Sequence, residues 1–256
     1  MNNAVTGIDR IRAFLVIAAT LGMIVFNWLA ATGRLGGVDT GRISDLYPTI
    51  LTPAAYAFSI WTVIYLGLVG FSVWQILPSN IARFRPFRSL YIFSCALNCG
   101  WLYFWNANQI VLCFGILTAL CATLAVISYQ LRESELPGDT LLAKAPFGLY
   151  FGWVTIAALV NFMVMLEYLR VQLSASTETA LGSILILAAS AIAVLVRIKL
   201  NNYVFPLAVA WGLTAIAVKQ SGQTIIVSAA ALGVIACLIA SLSFVMQLRS
   251  GQTHDA

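Results

Sequence analysis

Apolar residues in this chain come in long blocks, with polar residues confined to short gaps between them. Eight blocks read as helices: 12–32, 54–77, 88–106, 109–131, 147–168, 179–197, 201–219 and 223–248. Their lengths suit α-helices crossing hydrocarbon, where a rise of about 1.5 Å per residue must cover roughly 30 Å. Barrel strands would be about ten residues of strict alternation, and no such alternation occurs. The expected fold is therefore all-α: a polytopic helical membrane protein of about eight transmembrane helices. The third and fourth blocks meet at Asn106-Ala107-Asn108-Gln109, so they should form an antiparallel hairpin.

Composition and charge sharpen this picture. Of the 256 residues, 61% are hydrophobic and only 9% charged, against about 25% charged in soluble domains. The surplus apolar area has to face lipid. The net charge of +5 comes from Lys and Arg spread through the loops. Nucleic-acid binding needs them clustered on one face, so it is excluded. With the N-terminus inside, cytoplasmic segments hold Arg10, Arg12, Arg83, Arg85, Arg88, Arg132, Lys144, Arg197, Lys199 and Arg249, ten of the 14 basic residues. The other side holds Arg34, Arg42, Arg170 and Lys219. The positive-inside rule then places both termini in the cytoplasm of a multi-pass protein. The first block reads as an uncleaved first helix and not a signal peptide. The five cysteines (Cys95, Cys99, Cys113, Cys121, Cys237) fall inside apolar blocks and read as small core side chains. The single histidine, His254, sits in the polar tail, so no metal site is expected.

No Asp, Glu, Lys, Arg or His occupies the middle of a block; Arg12, Arg88, Glu167, Arg197 and Lys219 stand at block ends. Ion pathways and voltage sensors are marked by intramembrane charge, and its absence argues against both. Walker motifs, phosphate-cradling Gly loops and paired catalytic carboxylates are also lacking. The longest external connection, 31–53, carries Gly33, Gly36, Gly37, Gly41, Tyr47, Pro48 and Pro53. It reads either as a lid or as an unstructured loop.

What the interior does hold is aromatic and weakly polar. Phe58, Trp61 and Tyr65 recur at i, i+3, i+7 in the second block; Asn98, Trp101 and Trp105 do so in the third. In the fifth, Tyr150, Trp153, Ala157 and Asn161 keep one face, with the small Ala157 leaving room beside Trp153. Trp28, Trp74 and Trp105 also lie near block ends, where interface belts form. An amide in hydrocarbon must find a partner, so Asn98 and Asn161 should face protein or ligand. Two readings stay open: polar glue between packed helices, or a flat cavity walled by indoles with a few polar anchors.

These segments resemble the TspO family, the tryptophan-rich sensory proteins also known as the translocator protein or peripheral benzodiazepine receptor family. Pro53 followed by WTVIY resembles the family's second-helix motif, LNCGWLYF its third, and YFGWVTIAALVN its fifth. The likeness runs through roughly residues 8–170. The spacing departs from the family's at Phe58, three residues before Trp61 where the usual pattern has four. Pro146 likewise stands seven residues before Trp153, not four. The resemblance implies a five-helix bundle over 1–172 that binds porphyrins, other tetrapyrroles or sterol-like lipids. Trp61 and Trp153 would flank the ligand, with Phe58, Tyr65, Asn98, Trp101, Tyr150, Ala157 and Asn161 lining or bracing the pocket. No cofactor is required, and a bound porphyrin is what the likeness implies. Some relatives support light-dependent porphyrin breakdown; no catalytic residue is assigned. Leu166, Tyr168 and Arg170 in LEYLR fit a proposed sterol pattern, or else simply anchor a helix end at the interface.

Residues 173–256 add three helices beyond that bundle, rich in small residues, with Pro206 either kinking the seventh or sitting in its first turn. Their expected roles are bracing the bundle, replacing a dimer interface, or contact with another membrane protein; a homodimer or a membrane-complex partner is the expected company of the chain. Against the receptor, sensor or carrier reading stand an uncoupled permease for a hydrophobic or neutral solute and a structural subunit of a larger complex.

Overall fold

The computed structural model describes residues 5–35, 43 and 46–252, with side chains through residue 243. Gly36, Gly37, Gly41 and Arg42 of the first connection, the side chain of Arg249, and His254 lie outside the described residues. The described chain forms eight helices. We label them α1 (Gly7–Ala31), α2 (Ile60–Trp74), α3 (Arg88–Asn106), α4 (Ile110–Leu131), α5 (Ala145–Tyr168), α6 (Ala175–Lys199), α7 (Phe205–Lys219) and α8 (Thr224–Gln252). A 3₁₀ turn, Ala55–Ser59, leads into α2, and a π-turn, Thr140–Lys144, leads into α5.

Six helices, two of them counted with their lead-in turns, are long and apolar enough to cross a bilayer: α1, α2, α4, α5, α6 and α8. The protein is an integral, multi-pass membrane protein. Two helices differ. α7 has 15 residues, about 22 Å at the helical rise, and most of its length is buried between neighbours. α3 has 19 residues but is less apolar than the six, because it carries a polar stripe described below.

Local chemistry sets the boundaries. α1 begins at Gly7, ahead of the apolar block, because Thr6 and Asp9 form a capping box: Thr6 Oγ1 accepts from Asp9 N, and the Asp9 carboxylate accepts from Thr6 N. α7 begins at Phe205, not near 201. The Asn202 side-chain oxygen accepts from the backbone N–H of Val204 and Phe205, each at 3.0 Å, a side-chain turn that holds the chain just ahead of the helix. Pro206 falls in that first turn, where its missing N–H costs nothing; it does not kink the helix. The α3–α4 hairpin turns at Asn108, which takes a left-handed φ of 57°, a conformation Asn tolerates better than most residues.

Packing closes the first five helices into a ring in the order α1–α3–α4–α5–α2, with α2 returning to α1. α6, α7 and α8 pack on one another, and α7 lies along α5. The α5–α7 contact is close: a Cβ added at Gly152 would stand 2.6 Å from the Phe205 carbonyl oxygen and 2.8 Å from Ala208 Cβ. The connection before α2 rests on the same added helices. Ala54 N donates to Ala215 O at 2.9 Å, Trp211 Nε1 to Ala57 O at 3.0 Å, and Gln220 Nε2 to Thr49 O at 3.1 Å.

Candidate functional site

The two ends of the ring differ in charge. At one end Arg85 clasps Asp9 through two hydrogen bonds of 2.7 and 2.6 Å. Arg83 pairs with the buried Asp139 at 2.7 Å, and Trp74 Nε1 donates to the same carboxylate at 2.9 Å. Lys144 Nζ donates to Arg132 O, and Asn202 Nδ2 to Lys144 O. Arg88, which stands at a helix end in the sequence, is fully buried and donates to Gln75 Oε1, Gln75 O and Ile81 O.

From Arg88 a buried polar stripe runs along the first half of α3 through Tyr91, Ser94 and Asn98. Its partners come from α1 and α2. Thr20 Oγ1 lies 2.6 Å from the Tyr91 hydroxyl and 2.7 Å from Ser72 Oγ; Asn27 Nδ2 donates to Asn98 Oδ1 at 3.0 Å. Asn27 and Thr20 sit two turns apart on α1, and that spacing was the available signal for both. Asn98 is thus glued to α1 through its oxygen.

At the upper end of this stripe the three aromatic faces converge. Trp61 stacks on Tyr65 (ring centroids 5.4 Å apart, planes at 17°) and on Trp101 (6.2 Å, 29°). It meets Tyr150 and Trp153 edge-on at 5.9 and 6.4 Å. Each such pair contributes about 0.5–1.5 kcal/mol beyond area burial, so Trp61 is the hub of a rigid cluster. Phe58 departs from the expected face. It lies in the 3₁₀ turn and not on α2, and its ring meets Trp153 edge-on at 6.0 Å.

Beside this cluster is a cavity of about 30 Å³ between the α2 lead-in turn, α3 and α5. It is lined by Pro53, Phe58, Trp101, Trp105, Trp153, Ile156, Ala157, Val160 and Asn161. Phe58, Trp101, Trp153, Ala157 and Asn161 are therefore brought together at its wall. Trp61, Tyr65, Asn98 and Tyr150 stand behind them as support. Tyr150 is fully buried. Pro53, Ile156 and Val160 were not singled out in the sequence. Trp105 fits an interface position by sequence but is 3% exposed and lines the cavity; its ring leans on Trp101 at 6.1 Å. Trp28, in contrast, is half exposed and receives the Arg34 guanidinium over its ring.

The polar atoms around the cavity are incompletely satisfied. Trp101 Nε1, Trp153 Nε1 and Asn161 Oδ1, all on cavity-lining residues, are buried without a hydrogen-bond partner among the described residues, as is Tyr65 Oη behind the wall. Native cores leave few such groups, and three belong to this one cavity's lining. All five cysteines are free thiols.

The LEYLR residues do not share one site. Leu166 and Arg170 line a polar groove of about 400 Å³ with Glu167 and Glu178. Tyr168 turns instead to Tyr47, edge-on at 5.8 Å, and Tyr47 donates to Asn108. Arg170 has a φ of 54° as the chain turns toward α6.

No curated protein and no solved structure matches this chain. The profile of one family, described as TSPO-like protein, matches residues 13–244. That span takes in the five-helix ring with its aromatic cavity and runs on through α6, α7 and most of α8, so the chain belongs to the TSPO-like protein family.

Proposed function

We propose that this protein is a membrane receptor or carrier that takes a flat, hydrophobic ligand into the aromatic cavity between α2, α3 and α5. One observation carries the reading: three buried polar atoms without partners among the described residues, Trp101 Nε1, Trp153 Nε1 and Asn161 Oδ1, belong to residues that line a cavity walled by indole rings. Each unmade hydrogen bond costs about 1–3 kcal/mol, a cost removed when something bound supplies the partner. Trp101 and Trp153 offer N–H donors, Asn161 an acceptor. A ring system with both donors and acceptors on its edge and apolar faces for the indoles meets these demands. A tetrapyrrole has that chemistry; a sterol-like lipid with one hydroxyl meets it in part.

At about 30 Å³ the cavity accommodates a water, which needs 10–15 Å³, and not a tetrapyrrole. Binding therefore requires opening. Phe58 and Ala157 are the half-buried members of the wall, and a swing of Phe58 away from Trp153 would widen the gap. We further propose that the charge-rich end faces the cytoplasm, following the positive-inside rule.

Titrating protoporphyrin into the detergent-purified protein tests the reading, with the Soret band and tryptophan quenching as readouts. Saturable binding is expected, weakened several-fold by Trp153→Phe, which keeps an aromatic ring but deletes the N–H, and by Asn161→Ala. Absence of saturable binding refutes the ligand class. Unchanged affinity in both variants refutes the pocket.

A further inference from the structure

The charge-rich end carries a second groove, remote from the aromatic cavity. It lies between the start of α1 and the α2–α3 connection, holds about 290 Å³, and is lined by Val5, Arg10, Phe14, Ile76, Pro78 and Ile81. Five of these side chains are apolar and one is a cation. Phe14 is 62% exposed. Arg10 is exposed and forms no ion pair among the described residues. Its neighbour Asp9 is engaged by Arg85 through both carboxylate oxygens.

The wall behind the groove is also positive. Arg88 is fully buried, donates to the backbone oxygen of groove-lining Ile81 at 2.6 Å, and forms no ion pair among the described residues. One of its nitrogens, Nη1, lacks any partner there. The Asp9 carboxylate attracts this guanidinium only at longer range, since Arg85 holds both its oxygens, and Arg85 and Arg12 repel it; a buried, only partly offset charge is an electrostatic cost that an anion held at the groove lowers. Taken together, the groove offers an apolar strip ending at an arginine with no ion pair among the described residues, backed by a second positive charge that Asp9 offsets only in part.

We propose that this groove binds one anionic phospholipid, its acyl chain along Phe14, Ile76 and Ile81 and its phosphate facing Arg10. Charge complementarity selects this occupant. A zwitterionic lipid leaves the positive wall only partly offset, and a soluble anion leaves the apolar strip uncovered.

The test is native mass spectrometry of the detergent-purified full chain after incubation with equimolar phosphatidylglycerol and phosphatidylcholine of matched chain length. Preferential retention of a single phosphatidylglycerol is expected. Arg10→Gln, an exposed position where folding is not at stake, should lower that retention about five-fold, the effect of roughly one interfacial arginine. Lys199→Gln, an exposed cation at the same end, should leave it unchanged. Phosphatidylglycerol with six-carbon chains should be retained less than the long-chain lipid. Equal retention of the two headgroups overturns the proposal. So does an equal loss in the Arg10 and Lys199 variants, which would mean diffuse attraction. Displacement of the lipid by millimolar inorganic phosphate would also overturn it, assigning the site to a free anion.

Discussion

Gly152→Ala asks whether the last three helices are built into the ligand-binding ring or merely lie beside it. The new Cβ would sit 2.6 Å from the Phe205 carbonyl oxygen and 2.8 Å from Ala208 Cβ, whereas comfortable contacts are about 3.5–4 Å. The oxygen is backbone, on the first turn of a helix whose first residue is held by the Asn202 side chain, so it has no rotamer to move into. α5 and α7 must separate instead. Overpacking of this kind costs about 1–3 kcal/mol, and the better helix propensity of Ala returns up to about 1 kcal/mol. Gly22 on α1 and Gly115 on α4 supply the reference, since a Cβ at either meets nothing within 4 Å. Ala at those positions keeps the propensity gain with no clash. Thermal unfolding in detergent, followed with a thiol-reactive dye that reports exposure of buried Cys95, Cys113 and Cys237, separates the cases. Gly152→Ala should melt several degrees below both wild type and Gly22→Ala. If it melts with or above Gly22→Ala, the α5–α7 contact is slack and the added helices do not brace the ring.

Three further outcomes use the same melt. Asp139→Asn should cost about 1–2 kcal/mol, because it weakens the bonds from Trp74 and from partly exposed Arg83; a loss no larger than that of the exposed Glu133→Gln would refute the buried pair's importance. Asn202→Ala removes the acceptor of the Val204 and Phe205 N–H groups and the donor to Lys144 O, and about 1–2 kcal/mol should be lost. Trp211→Phe deletes the bond to Ala57 O and should cost about 1 kcal/mol; no shift would mean that the turn carrying Phe58 does not depend on α7.

Much of the architecture is legible in the sequence because a membrane permits so little else: eight apolar blocks became eight helices. Errors fall where local hydrogen bonds override hydropathy. The Thr6–Asp9 box starts α1 early, and Asn202 starts α7 late. AYAFS is apolar enough to read as the first turn of α2. It forms a 3₁₀ turn instead, and Phe58 reaches Trp153 from that turn and not from α2. The convergence of the three aromatic faces follows from their spacing, but which members line a cavity and which stand behind it depends on ring-to-ring packing. That arrangement leaves Trp61 central yet away from the cavity wall, and brings in Trp105 from what looked like the rim. Arg88 misled for a related reason. At a block end it resembles an interface anchor, yet the buried amide and carbonyls of Gln75 and Ile81 hold it inside.

The polar stripe on α3 bears on how the protein is made. Arg88–Asn106 is less apolar than the six long spans, and burying unpaired polar groups in hydrocarbon is costly. Three of its side-chain partners, Thr20, Asn27 and Gln75, belong to segments synthesised before it, and Tyr150 of α5 adds a bond to Ser94 O afterwards. α3 therefore leaves the ribosome with a receiving surface already in the bilayer. Erasing that surface with Thr20→Val and Asn27→Leu should reduce its insertion, readable from a glycosylation acceptor engineered into the 107–109 hairpin; undiminished insertion would show that α3 enters unaided. In biogenesis, chain order here does what hydrophobicity does for the other helices.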